Sequence, residues 1–356
     1  MKNIYYAYLH SCWFSQKELC EIFKDDASPK DFFISLDREK ISKFVKNSTR
    51  QNQILENFAK INTDLIDAVI KKYEVKLICV HDSDYPENLL HIPHTPFLLY
   101  VRWELPKEKM FWVVGSRNIT SYWNKAIDCL VPEISKIFPI VSGWAAGCDT
   151  RAHISALDSW AKTIAVIWTG INLHYPVTNE KLYSKIVLAG WAVVSIFRIW
   201  EPWNPYNFPV RNEIVAGLSE GILLIEAKEK SWSLITANLC LDIWKDVFAV
   251  PWDIMHSAST GTNKLIQIGA AKLVMHPGDI LEEYDVVVKS SAHKNILPNL
   301  SDEEFMLYTL ISENNFDLES IIKNIWIESK HTVQKISLLE LKGLIKKDIS
   351  WKYRIS

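Results

Sequence analysis

The chain has 356 residues, 48% of them hydrophobic, which is enough for a sizeable core shared among two or three domains. With 40 basic and 42 acidic residues the formal net charge is −2, so there is no global positive field and any nucleic-acid binding must rest on a local patch. Six scattered cysteines without a C-x-x-C pair argue against a disulfide framework or a zinc site and for reduced cytosolic thiols. His10 interrupts the apolar run Ile4 to Leu9 and no small-residue cleavage site follows, so neither a signal peptide nor a membrane span is expected.

Residues 1 to 75 are expected to form a small helical domain. Ser15-Gln16-Lys17-Glu18 has the pattern of a capping box, and Ile54, Phe58, Ile61, Leu65, Ile66 and Ile70 are spaced for a helical face. Val75 to Val80 is expected as a strand. Asp82-Ser83-Asp84-Tyr85-Pro86 then opens a segment leading to Pro96 to Val101. From residue 110 apolar runs at 110–115, 139–143, 162–168, 192–197, 221–227, 246–251 and 272–276 alternate with helices that include 211–219, 233–244 and 278–284. This alternation predicts a doubly wound, Rossmann-like parallel α/β sheet over 76–290, its strands covered on both faces. After a polar linker at 293–298, helical patterns at 302–312, 316–325 and 330–342 precede two strand-like runs, Lys346 to Ser350 and Lys352 to Ile355. The segment 300–356 is therefore expected to be winged-helix-like. Its third helix carries Lys330, His331 and Lys335, which suit either a duplex groove or a solvated face.

Ligands of such sheets bind outside the carboxyl ends of the strands, where this chain places small polar turns. Gly115, Ser116, Arg117 and Asn118 follow the first central strand, with hydroxyl, amide and guanidinium donors suited to phosphate. An isolated arginine more often pairs with an acid, but the matching turns shift the balance toward phosphate. Ser142, Gly143 and Gly147 follow the next strand, and Phe208, Arg211, Asn212, Lys230, Ser231 and Ser233 come later. Together they predict a strip of amides, hydroxyls and cations for a nucleic-acid backbone. Phe208 is placed either to stack on a base or in the core.

Asp149 and His153 stand four apart, but two ligands make a poor metal site and Asp149 suits a helix cap; no metal and no cofactor are expected. Cys148 near a helix start is a candidate for a lowered pKa. No His and acid stand near it in an arrangement for nucleophilic catalysis.

Five segments in order, Gly115-Ser116-Arg117, Ser142 to Asp149, Phe208-Pro209-Val210-Arg211-Asn212, Lys230 to Ala237 and Ala249-Val250-Pro251-Trp252, resemble the core of the DNA-processing protein A family, DprA or Smf. Tyr175-Pro176, Ala216 to Ser219, Asn263 to Ile266 and Gly269-Ala270-Ala271 fit between and after them, so the resemblance covers about half of the chain. It implies a first domain likened to the sterile-alpha-motif fold. It also implies a non-enzymatic, cytoplasmic, homodimeric protein that binds single-stranded DNA and loads the recombinase RecA during transformation or recombination. Glu213 stands where the family usually has Arg, and Ala146 where Arg is frequent; both remove positive charge. The alternative is a phosphoribohydrolase-like enzyme on a related sheet. Its Pro-Gly-Gly-x-Gly-Thr loop is missing from 226–237, and Gly115-Ser116-Arg117 is not the dinucleotide fingerprint either.

The departures from the family pattern share a direction. Trp stands where Gly is expected at Trp144, Trp168, Trp232 and Trp252, with Trp103, Trp123, Trp160, Trp191, Trp203 and Trp244 as further candidates. The 11 Gly and 15 Trp together are 26 of 356 residues, about 7%, the usual share of glycine alone. The inference is that the reading frame uses UGA for glycine and is written as though UGA encoded tryptophan.

Overall fold

The computed structural model of the protein describes residues 3–25, 27–229, 231–286, 300–313, 317–325, 329–347 and 352–355. By contacts the chain divides into two units, Met1–Val287 and Val288–Ser356. The linker at 293–298 and Trp351 lie outside the described residues.

The first unit begins with six short helices, α1 (Ile4–Ser11), α2 (Gln16–Ile22), α3 (Pro29–Ile34), α4 (Arg38–Phe44), α5 (Ser48–Lys60) and α6 (Thr63–Lys72). Helices this short need caps and tertiary packing. Ser15, Ser28, Asp37, Asn47 and Asn62 each accept an amide of the following first turn, and Ser15 with Glu18 forms the expected capping box. Packing comes from Tyr6, Phe14, Phe23 and Ile54, which join Phe97, Tyr100, Ala165 and Val193 in one buried cluster with the edge of the sheet.

The sheet itself contains, in chain order, β1 (Val75–Cys79), β2 (Leu98–Arg102), β3 (Met110–Val114), α7 (Ser121–Ile134), β4 (Ile140–Ser142), α8 (Cys148–Asp158), β5 (Thr163–Val166), α9 (Glu180–Leu188) and β6 (Val193–Ser195). There follow α10 (Asn207–Leu218), β7 (Ser219–Leu224), α11 (Trp232–Asp242), β8 (Asp246–Ala249), α12 (Thr260–Gln267), β9 (Lys272–Leu273) and α13 (Gly278–Leu281). Among the described residues the nine strands lie in the order β1-β2-β6-β5-β4-β3-β7-β8-β9. Only the β1–β2 and β2–β6 pairs are antiparallel. Both faces are covered: Phe111, Val113 and Phe248 pack with α7 and α8, whereas Trp112, Ile222 and Ala249 lie in the cluster that holds α10 and α11 residues. The chain runs outward from β3 through β4, β5 and β6, then returns to place β7 on the other side of β3. In sheets of this kind ligands bind outside the strand ends at the point where the winding direction switches, here beside β3.

The second unit has α14 (Asp302–Glu313), α15 (Leu318–Asn324), α16 (Ser329–Leu341) and a hairpin of β10 (Ile345–Lys347) with β11 (Tyr353–Ile355). Leu307, Ile311, Ile321, Ile336, Leu339, Ile345 and Tyr353 form its core.

Five tryptophans adopt a left-handed backbone: Trp13 (φ 80°), Trp103 (63°), Trp160 (57°), Trp200 (61°) and Trp244 (60°). Two other residues besides glycine, Glu74 and Asp285, share that region. Trp144, Trp168, Trp232 and Trp252, the positions that the motifs single out, do not. Three of the five end helices in one geometry. The amides of Phe14, Ala161 and Lys245 donate to the carbonyls of Leu9, Ala156 and Cys240, five residues back. Gly190, Gly269 and Gly343 hold the matching position in three other helix ends, where Trp191, Ala270 and Leu344 donate to Ile186, Leu265 and Leu339. This closure puts its pivot residue at positive φ, a region that L residues with a Cβ enter only at a cost.

Candidate nucleic-acid interface

The turn after β3 lies at the switch point and is fixed from two sides. The Cys148 amide donates to the Ser116 carbonyl (3.1 Å), and Ser233 Oγ on α11 donates to the Gly115 carbonyl (3.2 Å). Gly147, at φ 83°, packs so closely that an added Cβ would overlap the carbonyls of Ser116 and Arg117. Within the turn, Asn118 N donates to Ser116 Oγ (3.2 Å). This leaves the Arg117 side chain exposed, its guanidinium carbon 5.3 Å from the Trp168 ring centroid and 5.2 Å from that of Phe208. A planar cation braced by rings still offers its edge donors to an anion.

Arg211 is placed differently from the sequence expectation. It lies 1% exposed, its Nη1 donating to the Val166 carbonyl (2.8 Å), and burial pulls its pKa down to about 10. The reason is local: residues 211–218 of α10 are buried on every side, so an arginine in that run points inward. Asn212 is likewise interior and donates to Thr236 Oγ1 (2.9 Å), and Ser142 donates to the Val113 carbonyl (2.7 Å). These three support the turns from below. Gly143 lets them pack, because a Cβ there would overlap Arg211 Nη1 and Asp149 Oδ2.

Ser231 is half-buried with its hydroxyl unpartnered, Phe208 is half-buried in the first turn of α10, and Lys230 lies outside the described residues. The crevice thus brings together Gly115 to Asn118, Gly147, Phe208, Ser231 and Ser233. Glu213 accepts from the His94 amide (2.8 Å) and meets its ring at 3.0 Å. It forms one wall of an apolar cavity of about 800 Å³ behind Phe208 and Trp232.

Asp149 does not cap α8 in the usual position; it is fully buried and accepts from the Ala145 amide (3.2 Å). Burial raises its pKa, opposed by the charge of Arg211. His153 is equally buried, bonded to Thr163 Oγ1 (2.7 Å) and the Gly143 carbonyl (2.9 Å), and serves the same loop. Cys148 corrects an expectation: despite its place at a helix start, burial pushes its thiol well above the ordinary range, with Asp149 and Glu226 adding to the effect. No cluster of three metal-ligating side chains occurs among the described residues.

Sequence reasoning passed over Glu226, which ends 3% exposed with Oε2 unpartnered and a pKa raised by burial. It also passed over the row Trp232, Phe208, Trp168, Tyr175 and Trp203, whose neighbouring ring centroids lie 5.2–6.1 Å apart. The aromatic residues are visible in the sequence, but nothing local shows that they meet.

The strand-end turns at the switch point expose one cation, Arg117, and bury a second, Arg211. Comparison with known proteins gives the class. The family model of DNA recombination-mediator protein A matches residues 76–285. DNA processing protein DprA of Streptococcus pneumoniae is 39% identical over 206 residues, 57% of this chain and 72% of that protein. Protein Smf of Escherichia coli is 38% identical over 211 residues, 58% of this chain and 56% of that protein. The X-ray structure of DprA from S. pneumoniae superposes with a TM-score of 0.68 at 31% identity, covering 79% of this chain and 97% of that one. DprA from Helicobacter pylori, described for its unique single-stranded DNA binding mode, superposes at 0.53 with 25% identity over 59% of this chain and 95% of that one. The chain belongs to the DNA recombination-mediator protein A family, that of DprA and Smf. This is a family of DNA-binding recombination mediators, not of enzymes, which removes the phosphoribohydrolase alternative. No helix among the described residues is long and apolar enough to cross a membrane.

Proposed function

We propose that this protein binds single-stranded DNA in the crevice outside β3, β4, β5 and β7, and that as a homodimer in the cytoplasm it hands the strand to the recombinase RecA. The observation that carries the proposal is Arg117, exposed at the switch point with its guanidinium carbon 5.2 Å from the Phe208 ring centroid. Phosphate contacts fix position without reading sequence, so affinity is expected to be similar for all single strands. The test is a titration of single-stranded and duplex oligonucleotides at several salt concentrations. Arg117→Ala should weaken all single strands alike and flatten the salt slope by about 0.7, the share of one phosphate on a single strand. Equal affinity for duplex, or an unchanged slope in the variant, refutes the proposal.

The segment 1–75 acts as a helical domain that shares a buried cluster with the sheet, and 300–356 as an accessory domain of winged-helix type. The protein made in its native cell carries glycine at most positions written as tryptophan. The left-handed backbone of five of these residues supports that assignment.

A further inference from the structure

A second group of unpartnered donors lies where α6, β2 and α9 meet. Arg102 ends β2, Tyr73 follows the last turn of α6, and His174 stands in the loop before α9, which carries Tyr183. The four side chains close a ring. The Arg102 guanidinium carbon is 5.4 Å from the Tyr73 ring centroid and 5.3 Å from that of Tyr183, and the His174 ring centroid is 4.2 Å from Tyr183 and 6.3 Å from Tyr73. Arg102 pairs with Val193, the first residue of β6, so its backbone stands at the amino ends of the parallel strands, away from the carboxyl ends that carry Gly115 to Asn118. None of the four positions is written as tryptophan, so the ring has the same members whichever way the frame is read.

The ring is short of acceptors. Arg102 Nε and His174 Nε2 are both buried with no hydrogen-bond partner. No carboxylate of the described residues pairs with Arg102. Glu180 stands 4.0 Å from His174 Nδ1, but its side chain is 62% exposed. The Tyr183 hydroxyl is already used, donating to the Ile171 carbonyl (3.2 Å). Buried donors in this state are satisfied only by an acceptor from outside the chain. Tyr73, Arg102 and His174 are each half-buried, so the ring reaches the surface, and Lys72 Nζ adds positive charge there, 5.3 Å from the Tyr73 ring centroid.

We propose that this ring is an oxyanion site for a phosphate group, separate from the strand-end crevice, with Arg102 as its cation and His174 Nε2 as its second donor. The tyrosine rings hold the guanidinium by its faces and leave its edge N–H groups to the ligand. A phosphate offers three acceptor oxygens, enough to meet donors that approach from different directions. The site does not depend on the single-strand reading. The group can belong to a free phosphomonoester or to a nucleic-acid backbone, and the test separates the two.

Equilibrium dialysis of the full-length Arg117→Ala chain, in which the crevice is weakened, against radiolabelled inorganic phosphate should show a bound phosphate. Adding Arg102→Gln should weaken it about tenfold, and adding Arg102→Lys, which keeps the charge and loses the fork, should weaken it less. Phenylglyoxal labelling with peptide mapping should find Arg102 protected by phosphate, with Arg117 present or replaced. Phosphate affinity that is unchanged in both Arg102 variants overturns the site. So does equal labelling of Arg102 with and without phosphate in a chain that melts cooperatively. Protection by thymidine monophosphate, with the same oligothymidylate salt slope in Arg102→Gln as in the parent, supports the site with a free monoester as its ligand. Protection by oligothymidylate, with the slope flattened by about 0.7, supports it with a strand phosphate. Phosphate held at Arg102 by a chain that binds no oligonucleotide supports the site and removes the single-strand reading of the crevice instead.

Discussion

Replacing Trp160 and Trp244 by glycine should stabilise the protein, and alanine at the same positions should not. Both residues are almost fully exposed, at 94% and 95%, so their removal sacrifices no packing. Both sit at positive φ in a helix-ending closure that three glycines adopt elsewhere in the chain. The left-handed region costs a residue with a Cβ about 1–2 kcal/mol, while glycine's extra freedom in the unfolded chain returns roughly 0.5–1 kcal/mol of that gain. A net stabilisation of about 0.5–1 kcal/mol per site is therefore expected, with alanine lagging glycine by about 1 kcal/mol because it keeps the Cβ. The helices concerned, α8 and α11, pack on opposite faces of the sheet, so the two gains should add. Urea unfolding with unchanged m-value measures this directly. Over all five left-handed tryptophans the cost reaches about 5–10 kcal/mol, comparable with the whole stability of a domain, roughly 5–15 kcal/mol. Glycine variants that unfold at lower urea than the parent, or alanine variants that match them, would show that the backbone pays no penalty there and would refute the reasoning.

Peptides from the native source spanning 231–245 and 249–264 should carry the mass of glycine at Trp232, Trp244 and Trp252; tryptophan masses would end the recoding proposal. A chain ending near residue 295 should keep most of its single-strand affinity, since the crevice residues all precede Val287; loss of most binding in gel shifts would contradict this. Stability should fall on acidification below neutral pH. His153 is held neutral by burial with its pKa lowered from 6.5 to about 4, so its contribution is complete above 6.5 and lost as pH drops through about 4. That amounts to about 3 kcal/mol at most, and His10, lowered to about 3, adds in the same direction. Urea midpoints between neutral pH and pH 4 should fall less steeply in His153→Gln than in the parent; parallel slopes would count against it.

The central strands of the sheet were legible because each is a largely apolar run bounded by turn residues, the signature of a strand buried on both faces, whereas β9 is short and exposed. Their ends moved by a few residues: the run expected at 221–227 begins as β7 at Ser219 and ends at Leu224, and Ile225 to Ala227 are buried beyond the strand. α10 begins at Asn207 rather than at 211, because Pro209 fits the first turn of a helix, where its missing amide proton is not needed. The capping box at Ser15 was legible for the opposite reason, as a purely local device whose partners are three residues apart.

The site was legible only in part, because a strand-end motif specifies which residues arrive at the crevice but not which way each faces. Arg117 and Arg211 carry the same charge and both lie against the Phe208 ring, yet one stands exposed in a turn and the other is sealed in α10. The difference comes from the neighbours: Arg117 has Ser116 and Asn118 in an open turn, while Arg211 is followed by Asn212, Glu213, Ile214 and Val215, all buried. A guanidinium entering that helix has to find its acceptor inside, and Val166 supplies it. The tryptophan positions separate along the same line. A motif marks Trp144, Trp168, Trp232 and Trp252 because a family has glycine there, whereas the backbone marks Trp13, Trp103, Trp160, Trp200 and Trp244 because their φ angles suit glycine. The four motif positions share no residue with these five, although Trp103, Trp160 and Trp244 are also sequence candidates, and the two criteria rest on different physics, one on crowding of turns and the other on the conformational reach of a residue with no Cβ. A chain that merely favoured tryptophan would have no reason to place it in both.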